Sequence, residues 1–180
     1  MQSRLLALLG ITLCLSTQAQ ADPQRPDPFV GINVSLAQIG MDTLPEDTTQ
    51  GKGIQFGVIY PNQRVYAHLA FQDWDEAETR VIAAHYDYLW HLDSRITAFV
   101  GIQGALADFD LSGIHQTEVY ETGPGLGAQA GALWELGRGW VLETGLRYTR
   151  FQVDINSQLV GETRLESLSE GYLSLFYRSN

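Results

Sequence analysis

The sequence predicts an all-β fold: one eight-stranded antiparallel up-and-down β-barrel that crosses a membrane. Three observations lead to this prediction. Bulky apolar residues alternate with small or polar ones in eight stretches, the connections between the stretches are alternately short and long, and aromatic residues of the apolar face gather beside the short connections. A period of two indicates strands, because successive side chains of a strand point to opposite faces.

The first residues have the pattern of an export signal. Arg4 precedes an apolar run over residues 5–15, and the small residues Ala19 and Ala21 suit cleavage by signal peptidase. The run is too short to cross about 30 Å of hydrocarbon as a helix. Cys14 lies within it, so the mature chain is expected to have no disulfide and no thiolate metal site. The predicted segments are a signal peptide at 1–21, a short periplasmic lead-in at 22–28 and the barrel at 29–180.

The chain is acidic. Its 180 residues contain 11 Lys and Arg against 21 Asp and Glu, a formal net charge of −10, which becomes −11 if Arg4 leaves with the signal. Nucleic acid is excluded as a partner, because neutralising phosphates needs clustered Lys and Arg, and Lys52 is the only lysine. No pattern indicates a cofactor.

The first predicted strand shows the alternation plainly. Val30, Ile32 and Val34 fall on one face, whereas Gly31 and Asn33 fall on the other. A helix would scatter these two sets around its surface. The alternation recurs along the chain and gives predicted strands near 30–37, 54–60, 65–71, 82–90, 96–106, 126–134, 140–148 and 173–177.

The connections between these strands alternate in length. Short turns at one end of a barrel and longer loops at the other, with both termini on the short-turn side, are typical of bacterial outer-membrane barrels. We therefore expect both termini to be periplasmic. The connections are tight near 61, 93 and 138, long at 40–52, 107–122 and 153–163, and intermediate at 73–77.

The face opposite the apolar one is charged, which suits a narrow barrel lumen better than the lipid pocket of a lipocalin-like carrier. It holds His68, His85, Asp87, Arg95, Gln103, Gln129, Glu135, Glu143, Arg147 and Glu170. Glu143 and Arg147 lie four apart on one strand and face the same way, with Glu170 on the next strand, and we expect Arg147 to pair with these carboxylates. The predicted polar network of the lumen is Glu143, Arg147, Glu170, His85, Asp87 and Arg95.

Aromatic residues of the apolar face mark one end of the predicted barrel. Tyrosine and tryptophan favour membrane interfaces, where the ring is buried and its polar atom stays hydrated. Their position beside the tight turns predicts a periplasmic aromatic girdle, which consists of Tyr60, Trp90, Trp134, Trp140 and Tyr177.

The last predicted strand, Gly171 to Tyr177, alternates apolar residues and ends in an aromatic residue. It resembles the C-terminal assembly signal of outer-membrane barrels, which implies the barrel-assembly machinery as a partner. The mature chain as a whole resembles the small-barrel group that includes the OmpA transmembrane domain, OmpX and the opacity-type surface proteins. This resemblance implies a location in the cell outer membrane, surrounded by membrane lipid and lipopolysaccharide.

The leading functional interpretation is a structural or surface-interaction barrel with a plugged polar lumen and acidic extracellular loops. Three alternatives stay open: a small ion-permeable, porin-like pore, a lipid A-modifying outer-membrane enzyme, and a soluble lipocalin-like periplasmic carrier. A pore would require the charge pairs of the lumen to rearrange. No sequence feature names an extracellular partner.

Candidate catalytic and metal-binding residues are sparse. Ser112 and His115 lie in a predicted long loop, but the His-x-Ser-Asn pattern of lipid A deacylase barrels is absent from the sequence, and no enzyme is predicted. Asp73, Asp75 and Glu76 form the densest acidic cluster. It lacks the spaced acids and the glycine of a calcium loop, so no metal site is predicted.

Overall fold

The computed structural model describes residues 26–41, 47–74, 77–110, 120–157 and 161–179. Among these residues, no helix is long and apolar enough to cross a membrane. The predicted signal peptide, Ser112, His115, Asp75 and Glu76 lie outside the described residues. Eight strands are present: β1 (Asp27–Met41), β2 (Asp47–Tyr60), β3 (Gln63–Trp74), β4 (Ala77–His91), β5 (Ile96–Asp110), β6 (Tyr120–Gly137), β7 (Trp140–Ser157) and β8 (Gly161–Arg178).

The eight strands form one closed antiparallel barrel, as the sequence predicts. Each strand pairs with the next, and β8 pairs with β1. Closure pairs the backbone groups of the first and last strands with each other. A membrane-spanning sheet requires this, because hydrocarbon offers no hydrogen bonds. Following paired residues around the barrel from Phe29 leads back to β1 at Ile39, ten residues further along. This stagger tilts the strands, by about 35–45° in barrels of this kind.

The strands extend further than the alternation of apolar residues indicates. β1 continues to Met41 and β2 begins at Asp47, so the predicted loop at 40–52 is largely strand. β7 and β8 likewise run through most of 153–163, with a register shift between Arg150 and Val153. The prediction of long loops at 40–52 and 153–163 was wrong in extent, because backbone pairing continues beyond the residues whose apolar alternation the sequence shows. β1 also begins at Asp27, two residues before the predicted start of the barrel.

The two ends of the barrel differ. We call the end with the short connections at 61–62, 92–95 and 138–139 the tight-turn end, and the opposite end the loop end. All five predicted girdle residues lie at the tight-turn end. Tyr60 is half-buried, whereas the other four are exposed on the outer wall, and the Trp140 and Tyr177 rings are 5.5 Å apart.

The outer wall is apolar, as β1 illustrates. Val30, Ile32 and Val34 are 57–63% exposed, whereas the alternate residues Asn33 and Ser35 are buried inside the barrel. Large aliphatic and aromatic side chains are exposed in the same way on the other strands. Apolar surface of this extent is unfavourable in water and suits contact with hydrocarbon.

The barrel interior has three layers. An apolar layer near the tight-turn end consists of Phe29, Ile59, Tyr66, Leu89, Phe99, Leu133, Val141, Tyr172 and Phe176. A second apolar layer, nearer the loop end, consists of Ala37, Ala70, Val81, Ala83, Ala105, Ala107, Phe151 and Leu168. Along their strands, Asp87, Glu143, Arg147 and Glu170 lie between the two layers, whereas Arg64 lies among the rings of the first layer. These buried charged side chains form the candidate functional site.

Candidate functional site in the barrel interior

Arg64 lies at the centre of the buried charges. Alternation along β3 turns Arg64 inward, and its side chain is fully buried. The guanidinium Nε and Nη2 donate to Asp87 Oδ2 on β4, at 2.9 and 2.6 Å. Nη1 and Nη2 donate to Glu143 on β7, at 3.0 and 2.7 Å. One cation thus joins carboxylates from two other strands, and it binds Glu143 through two parallel hydrogen bonds, the bidentate geometry that is strong for arginine.

Four aromatic rings surround this guanidinium. Its central carbon lies 4.5 Å from the ring centroid of Tyr66 and 5.0 Å from that of Phe99. The rings of Phe29 and Phe176 are 5.8 and 5.9 Å away. Rings at these distances attract a cation and exclude water from it. We call these four rings the aromatic layer, and together with Arg64 they lie in the barrel interior near its tight-turn end.

A second cation, Arg147, organises the charges nearer the loop end. Its Nη1 lies 3.4 Å from Glu170 Oε2, and its Nε donates to Gln129 Oε1 at 3.2 Å. The guanidinium carbon also lies 4.6 Å from the ring centroid of Tyr172. The expected proximity of Arg147 and Glu170 is therefore present, and both side chains are buried.

Hydrogen bonds join the two cation centres into one network. Gln129 Nε2 donates to Asp87 Oδ1 at 2.6 Å, and Gln129 Oε1 accepts from Arg147. Tyr172 donates to Glu143 Oε1 at 3.1 Å while its ring faces Arg147. The buried charges are therefore paired across the interior, which offsets the large cost of removing them from water.

The partner expected for Glu143 was wrong. Glu143 binds Arg64, which the sequence analysis did not include, and Arg147 lies beside Glu170. Four residues along a strand span about 13 Å, so Glu143 lies nearer the tight-turn end than Arg147 does. The alternation of Arg64, Tyr66 and His68 opposite Val65 and Ala67 is the signal that could have placed Arg64 in the lumen.

Arg95 does not belong to the network, contrary to the prediction. It is exposed in the connection between β4 and β5, where its backbone N–H donates to Asp93 Oδ1 at 2.6 Å. β4 ends at His91, and the inward–outward alternation of a strand does not continue through the turn in which Arg95 lies. Glu135 is also exposed, and it lies 3.2 Å from Arg178 beside a register shift at the end of β6.

His85 of the predicted network and His68 of the same predicted face both lie inside the barrel. His85 stacks on Tyr66 with ring centroids 4.3 Å apart, and its ring is 5.9 Å from that of His68. Asp87, two residues from His85, is bound instead to Arg64 and Gln129. In the part of the chain that the structure describes, no group of three His, Cys, Asp or Glu is placed to hold a metal ion.

Gly101 gives Asp87 its space. It is the cross-strand partner of Asp87 on β5, and an added Cβ would overlap the Asp87 carboxylate. A carboxylate fixed by Arg64 and Gln129 cannot move away without breaking those hydrogen bonds. The position of the Asp87 carboxylate in the network thus requires glycine at position 101.

Comparison with known proteins shows similarity at the level of fold. No protein-family model and no curated protein matches the chain. Neisserial surface protein A has a TM-score of 0.72 at 15% identity, over 83% of this chain and 96% of its own. Outer membrane protein H of P. aeruginosa has a TM-score of 0.61 at 23% identity, over 85% and 99%. Ail, the attachment invasion locus protein of Yersinia pestis, has a TM-score of 0.57 at 11% identity, over 86% and 99%. The chain therefore shares the fold of small eight-stranded outer-membrane β-barrels.

Proposed function

We propose that this protein is anchored in the outer membrane by its strands and acts through its loop end, as a structural or surface-interaction protein. The packed interior carries this proposal. The aromatic layer and the paired charges around Arg64 occupy the barrel interior, and we infer that a partner binds the outer wall or the loops.

The interior argues against two of the alternatives. A soluble carrier needs an apolar cavity and a polar exterior, whereas here the buried layer is charged and the exposed wall is apolar. An ion-permeable pore needs a continuous path, whereas Arg64 is held by two carboxylates and four rings. A lipid A-modifying enzyme would depend on Ser112 and His115, which lie outside the described residues.

The proposed orientation has the tight turns and both termini in the periplasm and the loops outside the cell. The exposed aromatic residues at the tight-turn end support a membrane interface there. The predicted export signal and the C-terminal β8, proposed to be recognised by the barrel-assembly machinery, support delivery to this membrane. The names of two fold neighbours, a surface protein and an attachment protein, agree with a role at the cell surface.

Heat-modifiability and surface labelling test this proposal. We expect the protein to fractionate with outer membranes and to migrate faster on SDS gels before boiling than after it. Because the predicted mature chain lacks cysteine, Gly113→Cys and Asn62→Cys each supply a single thiol. An impermeant maleimide should label Gly113→Cys on intact cells, and Asn62→Cys only after permeabilisation. A soluble periplasmic protein without a heat shift, or the reverse labelling pattern, would contradict the proposal.

A further inference from the structure

The outer wall carries a groove over β8, where a glycine lies between two leucines of the neighbouring strands. Gly171 faces outward, and its cross-strand partners are Leu36 on β1 and Leu146 on β7. These leucines are 60% and 72% exposed. A Cβ added at Gly171 would meet only Leu146 Cδ2, at 3.7 Å. Packing does not require glycine here, and its effect is to leave the groove open.

The groove has an apolar part and a polar end. Its volume is about 670 Å³, and Val34 and Leu173 contribute to its apolar walls. Gln50 and Lys52 line it on the side of the loop end. Lys52 is the only lysine of the chain, and it lies beside Val34 in the strand register.

The height of Lys52 on the wall corresponds to the edge of a membrane. Tyr60 lies at the tight-turn end, and Lys52 is eight residues further along β2. At about 3.3 Å per residue and a tilt of about 40°, this separation is about 20 Å along the barrel axis, close to the far edge of an apolar band about 25 Å tall. A lysine at this height can bury its methylene groups against the wall and place its ammonium among lipid headgroups.

A second groove adjoins the first at the same gap. It has a volume of about 610 Å³, shares Leu36, Leu146 and Gly171, and continues over Ala128 and Ala130 on β6. Leu146 lines both grooves. The wall therefore offers two neighbouring grooves, in the size range of ligand sites, that meet at Gly171.

We propose that these grooves bind one lipid A molecule of the surrounding lipopolysaccharide, with acyl chains on both sides of Leu146 and a phosphate at Lys52. This inference rests on the orientation proposed above, because the loop end then faces the leaflet that lipopolysaccharide occupies. Charge complementarity supports the assignment: in an acidic chain, the single lysine lies at the end of the groove where an anionic headgroup would be. A phosphate near the membrane surface is attracted by each such cation.

Two variants and a matched control test the proposal. Gly171→Leu fills the shared gap, and Lys52→Gln removes the cation. Gly104→Leu is the control, because Gly104 is also an outward glycine of the wall. A Cβ added there would meet no atom within 4 Å, and Gly104 lines neither groove. Each full chain is refolded in mild detergent and titrated with bisphosphorylated lipid A, dephosphorylated lipid A and phosphatidylglycerol, and native mass spectrometry measures the lipid retained.

We expect the wild type and Gly104→Leu to retain bisphosphorylated lipid A equally, and more than phosphatidylglycerol. Lys52→Gln should retain about fivefold less of it and no longer distinguish it from the dephosphorylated form. Gly171→Leu should retain less of both forms. Equal retention by Gly171→Leu and Gly104→Leu, or equal retention of phosphatidylglycerol and lipid A by the wild type, would overturn the proposal. Since every variant is also tested for its heat shift, such a result would leave the proposed membrane location intact.

Discussion

Arg64 places a positive charge inside a wall that faces hydrocarbon. Asp87 and Glu143 neutralise it from two sides, and both are fully buried with it. A buried ion pair does not need to stabilise a fold relative to an apolar core, but removing one partner leaves uncompensated charge. At the scale of single residues, the interior should therefore be most sensitive to changes that unpair this cluster.

We predict that Arg64→Met lowers the free energy of unfolding by about 3–5 kcal/mol, because Asp87 and Glu143 are left without their cation. Urea titration of the refolded protein in lipid vesicles, followed by tryptophan fluorescence, measures the change. Arg178→Gln, which breaks partly exposed ion pairs with Asp27 and Glu135, should cost at most about 1 kcal/mol.

Neutralising the carboxylates gives a second check on the same cluster. Adding Asp87→Asn and Glu143→Gln to Arg64→Met should recover part of the lost stability, since no buried charge then remains unpaired there. If the triple variant were instead less stable than Arg64→Met, by the sum of the separate losses of Asp87→Asn and Glu143→Gln, charge pairing would not be the cause of the effect.

At the scale of elements, the hairpin between β6 and β7 depends on an unusual backbone. Gly137, Arg138 and Gly139 all have positive φ, at 96°, 55° and 82°. Glycine reaches these angles without a steric penalty, whereas most other residues do not. Gly139 also lies against the last strand, since a Cβ there would be 2.5 Å from the Arg178 carbonyl oxygen. The turn therefore contributes to closure of the barrel at β8.

We predict that Gly139→Ala destabilises the barrel by about 1–3 kcal/mol, through strain at positive φ and contact with β8. The matched variant Arg138→Asn should be neutral within about 0.5 kcal/mol, because asparagine tolerates this conformation. The fraction that shows the heat shift after refolding under increasing urea distinguishes them, and equal midpoints for the two variants would argue against a special role for this turn.

At the scale of the whole molecule, the layered interior determines whether ions can pass through the barrel. The aromatic layer surrounds Arg64 near one end, and a second apolar layer lies nearer the other end. Protein interiors packed in this way contain few voids larger than a water molecule. The proposed role as a closed membrane anchor rests on this packing.

We predict that the wild-type protein gives no stable single-channel conductance in planar lipid bilayers. Glu143→Gln should behave in the same way, because the aromatic layer remains in place, whereas the double variant Phe99→Ala, Phe176→Ala should show conductance events. Steady conductance of the wild type that Glu143→Gln alters would instead favour the pore alternative.

The candidate site was predictable only in part. Alternation correctly turned Glu143, Arg147, Glu170, His85 and Asp87 inward, because inward and outward residues must alternate on a strand. It could not choose their partners. Arg64 and Glu143 are 79 residues apart in the chain, and they meet because the stagger of eight tilted strands brings one position of β3 opposite one position of β7. The prediction that Arg95 lies in the lumen was wrong, because alternation does not indicate where a strand ends and a turn begins.

The sequence by itself determined the number of strands, their antiparallel order, the apolar outer face and the tight turns. These are local properties, encoded within about ten residues of chain by a period of two and by turn residues. The tertiary structure alone decided the strand register, the pairing of Arg64 with Asp87 and Glu143, and the two grooves that meet at Gly171. These depend on the stagger of the closed barrel, which places residues from distant strands at the same height on its inner and outer surfaces.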